Sequence, residues 1–338
     1  MIPTVIAPRP VADSLDELLA GAPRLGAFAT AESRSDAPFE AVEIDGERCV
    51  VKFVHPDFDF TMRVSEDTGC RALQIWQHGL MDTAPDHIDH ATLGVARWGR
   101  DDLGCAVLMR DVSASLVPTG DAPITESEHL AFLDDLAGWS AASWGFVDTY
   151  GLLEHHKRWA FFGADAIASE EALGFPEAVP RIARDGWARF AERAPSDVFA
   201  VIDALWHDPR PLSEAIRTTP QTLTHGDWKL SNLGRGRDGR TILLDWMYPG
   251  EGPVCHELLW YTALNRARLP VGHTKESTIA DFRAALVRQG LDVDSWWDRQ
   301  LGLCLVGTLV QFGWEKALGD DDELGWWVDA AREGARFL

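Results

Sequence analysis

Apolar residues in the first part of the chain are grouped in short runs, which is the pattern of β-strands. The segment 39–44 alternates loosely, and apolar runs follow at 49–54 and 105–109. Asp45-Gly46, between the first two segments, is a dipeptide typical of hairpin turns. One helix is predicted here, over 68–80, because apolar residues recur there at helical spacing. This part is therefore predicted to be rich in strands.

After about residue 125 the apolar residues recur mainly at helical spacing. The predicted helices cover residues 127–139, 180–193, 197–206, 256–267, 278–290, 295–318 and 324–337. Strand-like segments return only at 233–234 and 241–244, and Asp238-Gly239 between them predicts a second hairpin. We therefore expect a two-lobed α+β fold, with a small strand-rich N-terminal lobe (1–112) and a larger helical C-terminal lobe (113–338) around a cleft.

Composition narrows the class of protein. The chain has 338 residues, of which 46% are hydrophobic and 25% charged, as in soluble globular proteins. Its formal net charge of −22 argues against a nucleic-acid groove, which needs basic clusters. The five cysteines show no C-x-x-C spacing, which indicates reduced, mostly buried thiols in a cytoplasmic protein. No apolar segment reaches the ~18 residues needed to span a membrane, and no signal peptide is expected.

The strongest chemical motif is His-Gly-Asp-Trp-Lys-Leu-Ser-Asn at 225–232, followed by an apolar strand that ends in Asp245. Asp227 could orient and deprotonate an attacking hydroxyl group. Asn232 and Asp245 offer the oxygen ligands that Mg²⁺ prefers. The predicted hairpin would return Asp245 to the loop that carries the other two residues. This arrangement predicts transfer of a phosphoryl group from a nucleoside triphosphate.

The same segment matches every fixed position of the H-G-D-x-x-x-x-N catalytic loop of the aminoglycoside phosphotransferase and choline kinase branch of the protein-kinase-like fold. Asp245-Trp246, Gly250-x-Gly252 as a turn, and Glu257-Leu258 also resemble this family. The resemblance covers about 25–330, by lobe order rather than by motif throughout. It implies a kinase that uses ATP or GTP with Mg²⁺. The acceptor would be a small hydroxylated molecule: an aminoglycoside or other antibiotic, an amino sugar, or a choline-like amino alcohol.

The resemblance also implies roles for individual residues. Asp227 would be the catalytic aspartate, and Asn232 and Asp245 the Mg²⁺ ligands. Lys229 would contact the γ-phosphate, with a solvated loop lysine as the alternative. Lys52, the sole charge in an apolar strand, would bind the α- and β-phosphates. The alternative for Lys52 is a lysine on an edge strand that discourages aggregation.

Two residues near the motif would support the loop rather than react. Glu257 would brace the catalytic loop from a following helix. His225 would serve as a structural hydrogen-bonding residue, and a catalytic histidine is the less favoured interpretation because the loop already has its base.

The nucleotide side is less sharply marked. No G-x-G-x-x-G precedes Lys52, so the loop carrying Ser33 and Ser35 is predicted to cover the phosphates, with a plain surface turn as the alternative. Met109 and Val112 are predicted to lie in the hinge that presents backbone groups to the purine. Glu66 is the nearest acid that could pair with Lys52, and the alternative is that another group holds this lysine.

Two other functional classes stay open. One is a catalytically inactive, pseudokinase-like partner that binds nucleotide, which an unpaired Lys52 would favour. The other is a protein kinase, which is disfavoured because Asp245 is followed by Trp246-Met247 rather than Phe-Gly and no A-P-E segment follows. The acceptor, the choice of ATP or GTP and the oligomeric state are left open by the sequence.

Overall fold

A computed structural model describes residues 6–29, 37–175 and 177–338, apart from the side chains of Asp102 and Arg266. The strands are β1 (Arg24–Ala27), β2 (Phe39–Ile44), β3 (Glu47–Val54), β4 (Ile88–Asp89), β5 (Thr92–Trp98), β6 (Gly104–Arg110), β7 (Gln221–Thr224), β8 (Leu233–Arg235), β9 (Thr241–Leu243) and β10 (Gly250–Pro253). The α-helices are α1 (Leu15–Leu19), α2 (Phe60–Val64), α3 (Arg71–Gln77), α4 (Glu126–Ala142), α5 (Lys157–Ala160), α6 (Ala164–Leu173), α7 (Ala178–Arg193), α8 (Ser196–His207), α9 (Arg210–Arg217), α10 (Val254–Leu264), α11 (Lys275–Arg288), α12 (Trp297–Leu318) and α13 (Asp321–Gly334).

The first part of the chain forms an antiparallel sheet in the order β1-β2-β3-β6-β5. Asp45 and Gly46 both have positive φ, 51° and 81°, and connect β2 to β3 as the two-residue turn that the sequence predicts. β3 lies inside the sheet, with Lys52 opposite Val107 of β6. Lys52 is therefore not on an edge strand, and that alternative is wrong.

The second part of the chain is mainly helical, and the predicted α+β fold is confirmed. α12 runs unbroken and packs against α7, α10 and α13. Every residue from 302 to 313 in α12 is buried, as expected of a helix that is apolar on all sides. The helix predicted over 68–80 is shorter, since α3 ends at Gln77 and a 3₁₀ turn, Leu80–Thr83, follows it.

Small strand pairs lie beside the motif. The predicted hairpin is confirmed as β8 and β9, and β4 from the first part of the chain adds to it in parallel. The predicted Gly-x-Gly turn is wrong, because Gly250 and Gly252 lie in β10, which pairs with β7. A Cβ on Gly250 would lie 2.6 Å from the carbonyl oxygen of Leu153, so the close approach of another backbone explains that glycine.

All five cysteines are free and buried, as predicted. Within the described residues, no helix has the length and apolar character that crossing a membrane requires.

Candidate active site

A cavity of about 540 Å³ lies between the five-stranded sheet and the helical part. The predicted site residues that line it are Lys52, Met109, Val112, Asp227, Lys229, Asn232 and Asp245. Lys52 lies in β3, Met109 in β6 and Val112 in the segment after β6. The other four residues belong to the 225–245 region. Ser33 and Ser35 lie outside the described residues. The fold thus gathers into one cavity residues that are far apart in sequence.

The loop after β7 has a conformation that requires glycine. Gly226 has φ of +85°, and a Cβ there would collide with the carbonyl oxygen of Tyr248. The Gly226 N–H donates to Glu257 Oε1 at 2.6 Å, and the Leu230 N–H donates to Asn265 Oδ1 at 3.2 Å. Both acceptors belong to α10 or directly follow it. Glu257 therefore contacts the loop as the resemblance implied, and α10 fixes the loop at two points.

His225 is completely buried at the start of this loop. Its Nδ1 accepts the N–H of Asp227 at 3.2 Å, and its ring packs edge-on against Trp246 with centroids 4.7 Å apart. Burial lowers the pKa of His225 to about 3, because the imidazolium would lose its hydration. A neutral ring that accepts a backbone hydrogen bond fits a structural role for His225 better than a catalytic one.

The Asp227 carboxylate is held by three donors. Trp260 Nε1 donates to Oδ1 at 2.8 Å. Asn232 Nδ2 and Lys229 Nζ donate to Oδ2 at 2.7 and 2.8 Å. A carboxylate has about four acceptor positions, so Oδ1 keeps one for a further hydroxyl group. Burial raises the pKa of Asp227 above its ordinary value, although the charge of Lys229 opposes this shift.

Asn232 and Asp245 present oxygen atoms beside this carboxylate. Asn232 Nδ2 donates to both the carbonyl and the carboxylate of Asp227, which leaves the amide oxygen as a free ligand atom. The Leu244 N–H donates to the Asn232 carbonyl at 2.9 Å and so brings Asp245 next to the loop. Asp245 itself has φ of +66°, a left-handed conformation that sets the direction of its side chain. An amide oxygen and a carboxylate are a donor set that fits Mg²⁺.

Asp245 is also the ion-pair partner of Lys52. Lys52 Nζ lies 2.6 Å from Asp245 Oδ1. Burial alone would lower the pKa of Lys52, but Asp245, with Asp59 and Asp227 nearby, raises it, so this amine stays charged. The charge of Lys52 in turn holds the pKa of Asp245 below its ordinary value, against the effect of burial.

Glu66 does not pair with Lys52, and of the two alternatives that the sequence left open the second holds: another group, Asp245, pairs with Lys52. It forms a surface ion pair with Lys157 at 2.6 Å, and its side chain is 70% exposed. The reason lies in the chain path: Glu66 follows the short helix α2 in a turn with φ of 50°, and its side chain faces solvent.

Met109 and Val112 lie where the sheet passes into the helical part. Met109 pairs with Val50 of β3 inside the sheet, and Val112 follows the last strand residue by two positions. Both line the cavity on the side of Lys52. Their contact with a purine stays a prediction.

Sequence reasoning missed three residues around the cavity. Trp260 holds Asp227, while Tyr248 and the buried Asp59 line the wall. Helical spacing could have revealed Trp260, because it lies three positions after Glu257 and so shares its face of α10. Nothing comparable in the sequence marks Asp59, which caps the N-terminus of α2 through the N–H groups of Thr61 and Met62.

Comparisons with known proteins support the fold. No protein-family model and no curated protein sequence matches the chain. The choline kinase LicA from Streptococcus pneumoniae is similar in structure at 12% identity, with 96% of this chain and 98% of that chain covered and a TM-score of 0.50. LicA in complex with AMP aligns at 11% identity, 96% coverage of both chains and a TM-score of 0.52. A thermostable mutant of aminoglycoside phosphotransferase APH(4)-Ia, in complex with AMP-PNP and hygromycin B, gives 13% identity, 95% and 97% coverage and a TM-score of 0.48.

At this level of identity the likeness defines the fold. The chain has the protein-kinase-like fold, as the sequence predicted, and it extends over nearly the whole length of the solved choline kinase.

Proposed function

We propose that this protein is a small-molecule kinase that transfers the γ-phosphoryl group of ATP or GTP to a hydroxyl group. Asp227 receives the hydroxyl proton, and Asn232 and Asp245 hold Mg²⁺. Lys52 binds the α- and β-phosphates, and Lys229 contacts the transferred group. The observation that carries the proposal is the Asp227 carboxylate, which is held by three donors and keeps one acceptor position.

Lys52 has to change partners when the nucleotide binds. In the structure its charge is used by Asp245. Phosphate oxygens would compete for the lysine. Asp245 would then lose its ion-pair partner and become available to bind the metal ion. Mg²⁺ bound there supplies positive charge that offsets the negative charge of the triphosphate.

The reaction itself needs little covalent help from the protein. The acceptor hydroxyl donates to Asp227 Oδ1 and is thereby aimed at the γ-phosphorus. The acceptor oxygen forms a bond to phosphorus as the bond to the β–γ bridging oxygen breaks, and the hydroxyl proton passes to Asp227. A nucleoside diphosphate leaves. Lys229 offsets negative charge on the transferring group, and preorganised donors of this kind account for much of catalysis.

The acceptor class rests on two observations. The solved structure with a TM-score of 0.50 is a choline kinase, which supports a cationic amino alcohol. The net charge of −22 also suits a cationic small molecule. A polyhydroxylated antibiotic or amino sugar with amino groups meets the same requirement. The complex of LicA with AMP supports an adenine nucleotide.

The direct test is Mg²⁺-dependent consumption of ATP and of GTP in the presence of amino alcohols, amino sugars, aminoglycosides and other hydroxylated antibiotics, with Asp227→Asn as the control. Turnover that depends on one acceptor and is lost in the control supports the proposal. Metal-dependent nucleotide binding without turnover on any acceptor would favour the non-catalytic binding protein instead.

A further inference from the structure

Two histidines and an aspartate meet in the helical part, away from the active-site cavity. His129 lies in the first turns of α4, His273 in the segment before α11, and Asp281 within α11. Their candidate ligand atoms all lie within 4.8 Å of one another. His273 Nε2 is 3.9 Å from Asp281 Oδ2, and the two imidazole rings stand at 74° with centroids 5.1 Å apart. Three separate segments thus place nitrogen and oxygen donors around one point.

His129 is completely buried, so the partners of its two ring nitrogens decide whether it can bind an ion. Its Nδ1 lies 2.9 Å from the hydroxyl oxygen of Tyr261. Its Nε2 faces Thr278 Oγ1 at 3.5 Å, which is too long for a strong hydrogen bond. The single hydroxyl hydrogen of Thr278 is already donated to the carbonyl of Thr274 at 2.9 Å. In the tautomer whose Nδ1–H donates to Tyr261, Nε2 keeps a buried lone pair, because the Thr278 hydroxyl hydrogen is already used.

A hydroxyl group in the position of Tyr261 can orient a histidine that binds a metal ion through its other ring nitrogen. Histidine ligands usually donate their second ring N–H to an oxygen atom, which fixes the tautomer and aims the other nitrogen at the ion.

We propose that His129, His273 and Asp281 form a binding site for a divalent transition metal of the zinc class. Two imidazole nitrogens and one carboxylate oxygen are a donor set that Zn²⁺ accepts, with water in the fourth position. Metal–ligand bonds of about 2.0–2.2 Å place the ligand atoms roughly 3.3 Å apart. His273 and Asp281 have side chains that are 15% and 35% exposed, so they can rotate inward while His129 stays in place.

The position of the site indicates a structural rather than a catalytic role. The segment between α10 and α11 connects the site to the active-site cavity. At its start, Asn265 accepts the Leu230 N–H of the catalytic loop. In its middle, Arg268 donates to the carbonyl of Pro118, which lines the cavity. An ion held by His273 at its end would tie this segment to α4 and α11, so binding would stabilise the fold.

The chain offers a matched control. His207 also lies between two carboxylates, with Asp165 Oδ2 at 2.7 Å and Asp203 Oδ1 at 3.9 Å, but its side chain is 61% exposed and it has no histidine neighbour among these contacts. Nonspecific binding of zinc to a surface histidine and acids would affect His207 as much as His273. Substitution at His273 or Asp281 removes a partly exposed ligand and spares the buried His129.

The test is a titration of tag-free, chelator-treated protein with Zn²⁺ and with Co²⁺, comparing the wild type with His273→Ala, Asp281→Asn and His207→Ala. We expect one equivalent of Zn²⁺, visible d–d absorption of four-coordinate Co²⁺, and a rise in the thermal midpoint of several degrees with Zn²⁺. His207→Ala should keep all three, and His273→Ala and Asp281→Asn should lose them. Absence of stoichiometric binding to the wild type, or binding that survives His273→Ala, would overturn the proposal.

Discussion

The two lysine–aspartate pairs of the cavity are built in different ways. Lys229 and Asp227 belong to one loop, and Asp227 also accepts hydrogen bonds from Trp260 and Asn232. Lys52 and Asp245 are 193 residues apart and join the sheet to the helical part. The Asp227 side chain is 2% exposed, whereas that of Asp245 is 31% exposed.

This difference indicates that one carboxylate is fixed before any ligand binds and that the other is exchangeable. Burial raises the pKa of Asp227, while the charge of Lys52 holds the pKa of Asp245 below its ordinary value. Opposite shifts suit a carboxylate that takes up a proton and one that stays ionised to hold a metal.

The largest effect is expected from Asp227→Asn. The amide keeps the shape of the side chain but removes the base, and general-base catalysis contributes about 10²–10⁴-fold to rate. We therefore expect kcat to fall by about that factor while the Kd for nucleotide, measured by titration calorimetry, stays nearly unchanged. Transfer at close to the wild-type rate would exclude Asp227 as the proton acceptor.

Removal of the exchangeable carboxylate, Asp245→Ala, should act on binding. Without Asp245 the metal loses a ligand, so the affinity for Mg²⁺-nucleotide should fall at least tenfold, equal to about 1.4 kcal/mol. Metal-free nucleotide should bind as well as before or better, because Lys52 is then available to the phosphates. The control is Asp238→Asn, in the turn between β8 and β9, because Asn-Gly suits a turn as well as Asp-Gly does. If the titrations with and without Mg²⁺ still differ as in the wild type, Asp245 is not a metal ligand.

Much of this arrangement is local in sequence and could be predicted. The motif with Asp227 and Asn232, and the hairpin that precedes Asp245, lie within one short stretch of sequence. Helical periodicity predicted the long helices of the second part. The turn at Asp45-Gly46 was predicted correctly for the same reason, because its backbone preference does not depend on the rest of the protein.

The parts that could not be predicted depend on tertiary contacts. β10 consists of Gly-Glu-Gly-Pro, which has the composition of a turn, but it pairs with β7, and the backbone of Leu153 approaches Gly250 where a Cβ would not fit. The pairing of Lys52 with Asp245 requires the two lobes to meet. His129, His273 and Asp281 come from three segments without regular spacing, so no sequence motif marks them.

Glu257 accepts a hydrogen bond from Gly226 in the loop that carries Asp227, and it should make the free energy of unfolding depend on pH. Burial raises its pKa from 4.5 to about 7, since the hydrogen bond from Gly226 and the charge of Arg158 only partly compensate. The folded state therefore keeps a proton that the unfolded state has lost. The associated stability is fully present below pH 4.5 and is lost as pH rises through 7.

Glu257→Gln removes this titration. The free energy of unfolding of the wild type, relative to the variant, should decline by at most about 3 kcal/mol between pH 4.5 and 7. Urea unfolding of both proteins across this range measures the difference, in which the other titrating groups cancel. A difference that does not change with pH would mean that Glu257 is ionised in the folded protein.

The smallest effect, and the sharpest test of the fixed carboxylate, is expected from Trp260→Phe. This change keeps an aromatic ring in place and removes the N–H that donates to Asp227 Oδ1 at 2.8 Å. A hydrogen bond to a charged group contributes about 1.5–3 kcal/mol, and with two donors left on Oδ2 we expect kcat to fall about tenfold, near the lower limit. Loss of a donor to the ionised form also raises the pKa of Asp227, so the acidic limb of the kcat/KM profile should move to higher pH.

Trp314→Phe is the matched control for this change. Its Nε1 donates to the carbonyl of Gln311 at 2.9 Å and its ring contacts Phe162, which also contacts Trp260, so the control removes an indole N–H from the same aromatic cluster without touching Asp227. It should leave the pH profile unchanged. If both variants lose activity equally and neither shifts the profile, Trp260 acts only through packing. Asp227 would then be positioned by its own loop, and the two lysine–aspartate pairs would differ less than their hydrogen bonds indicate.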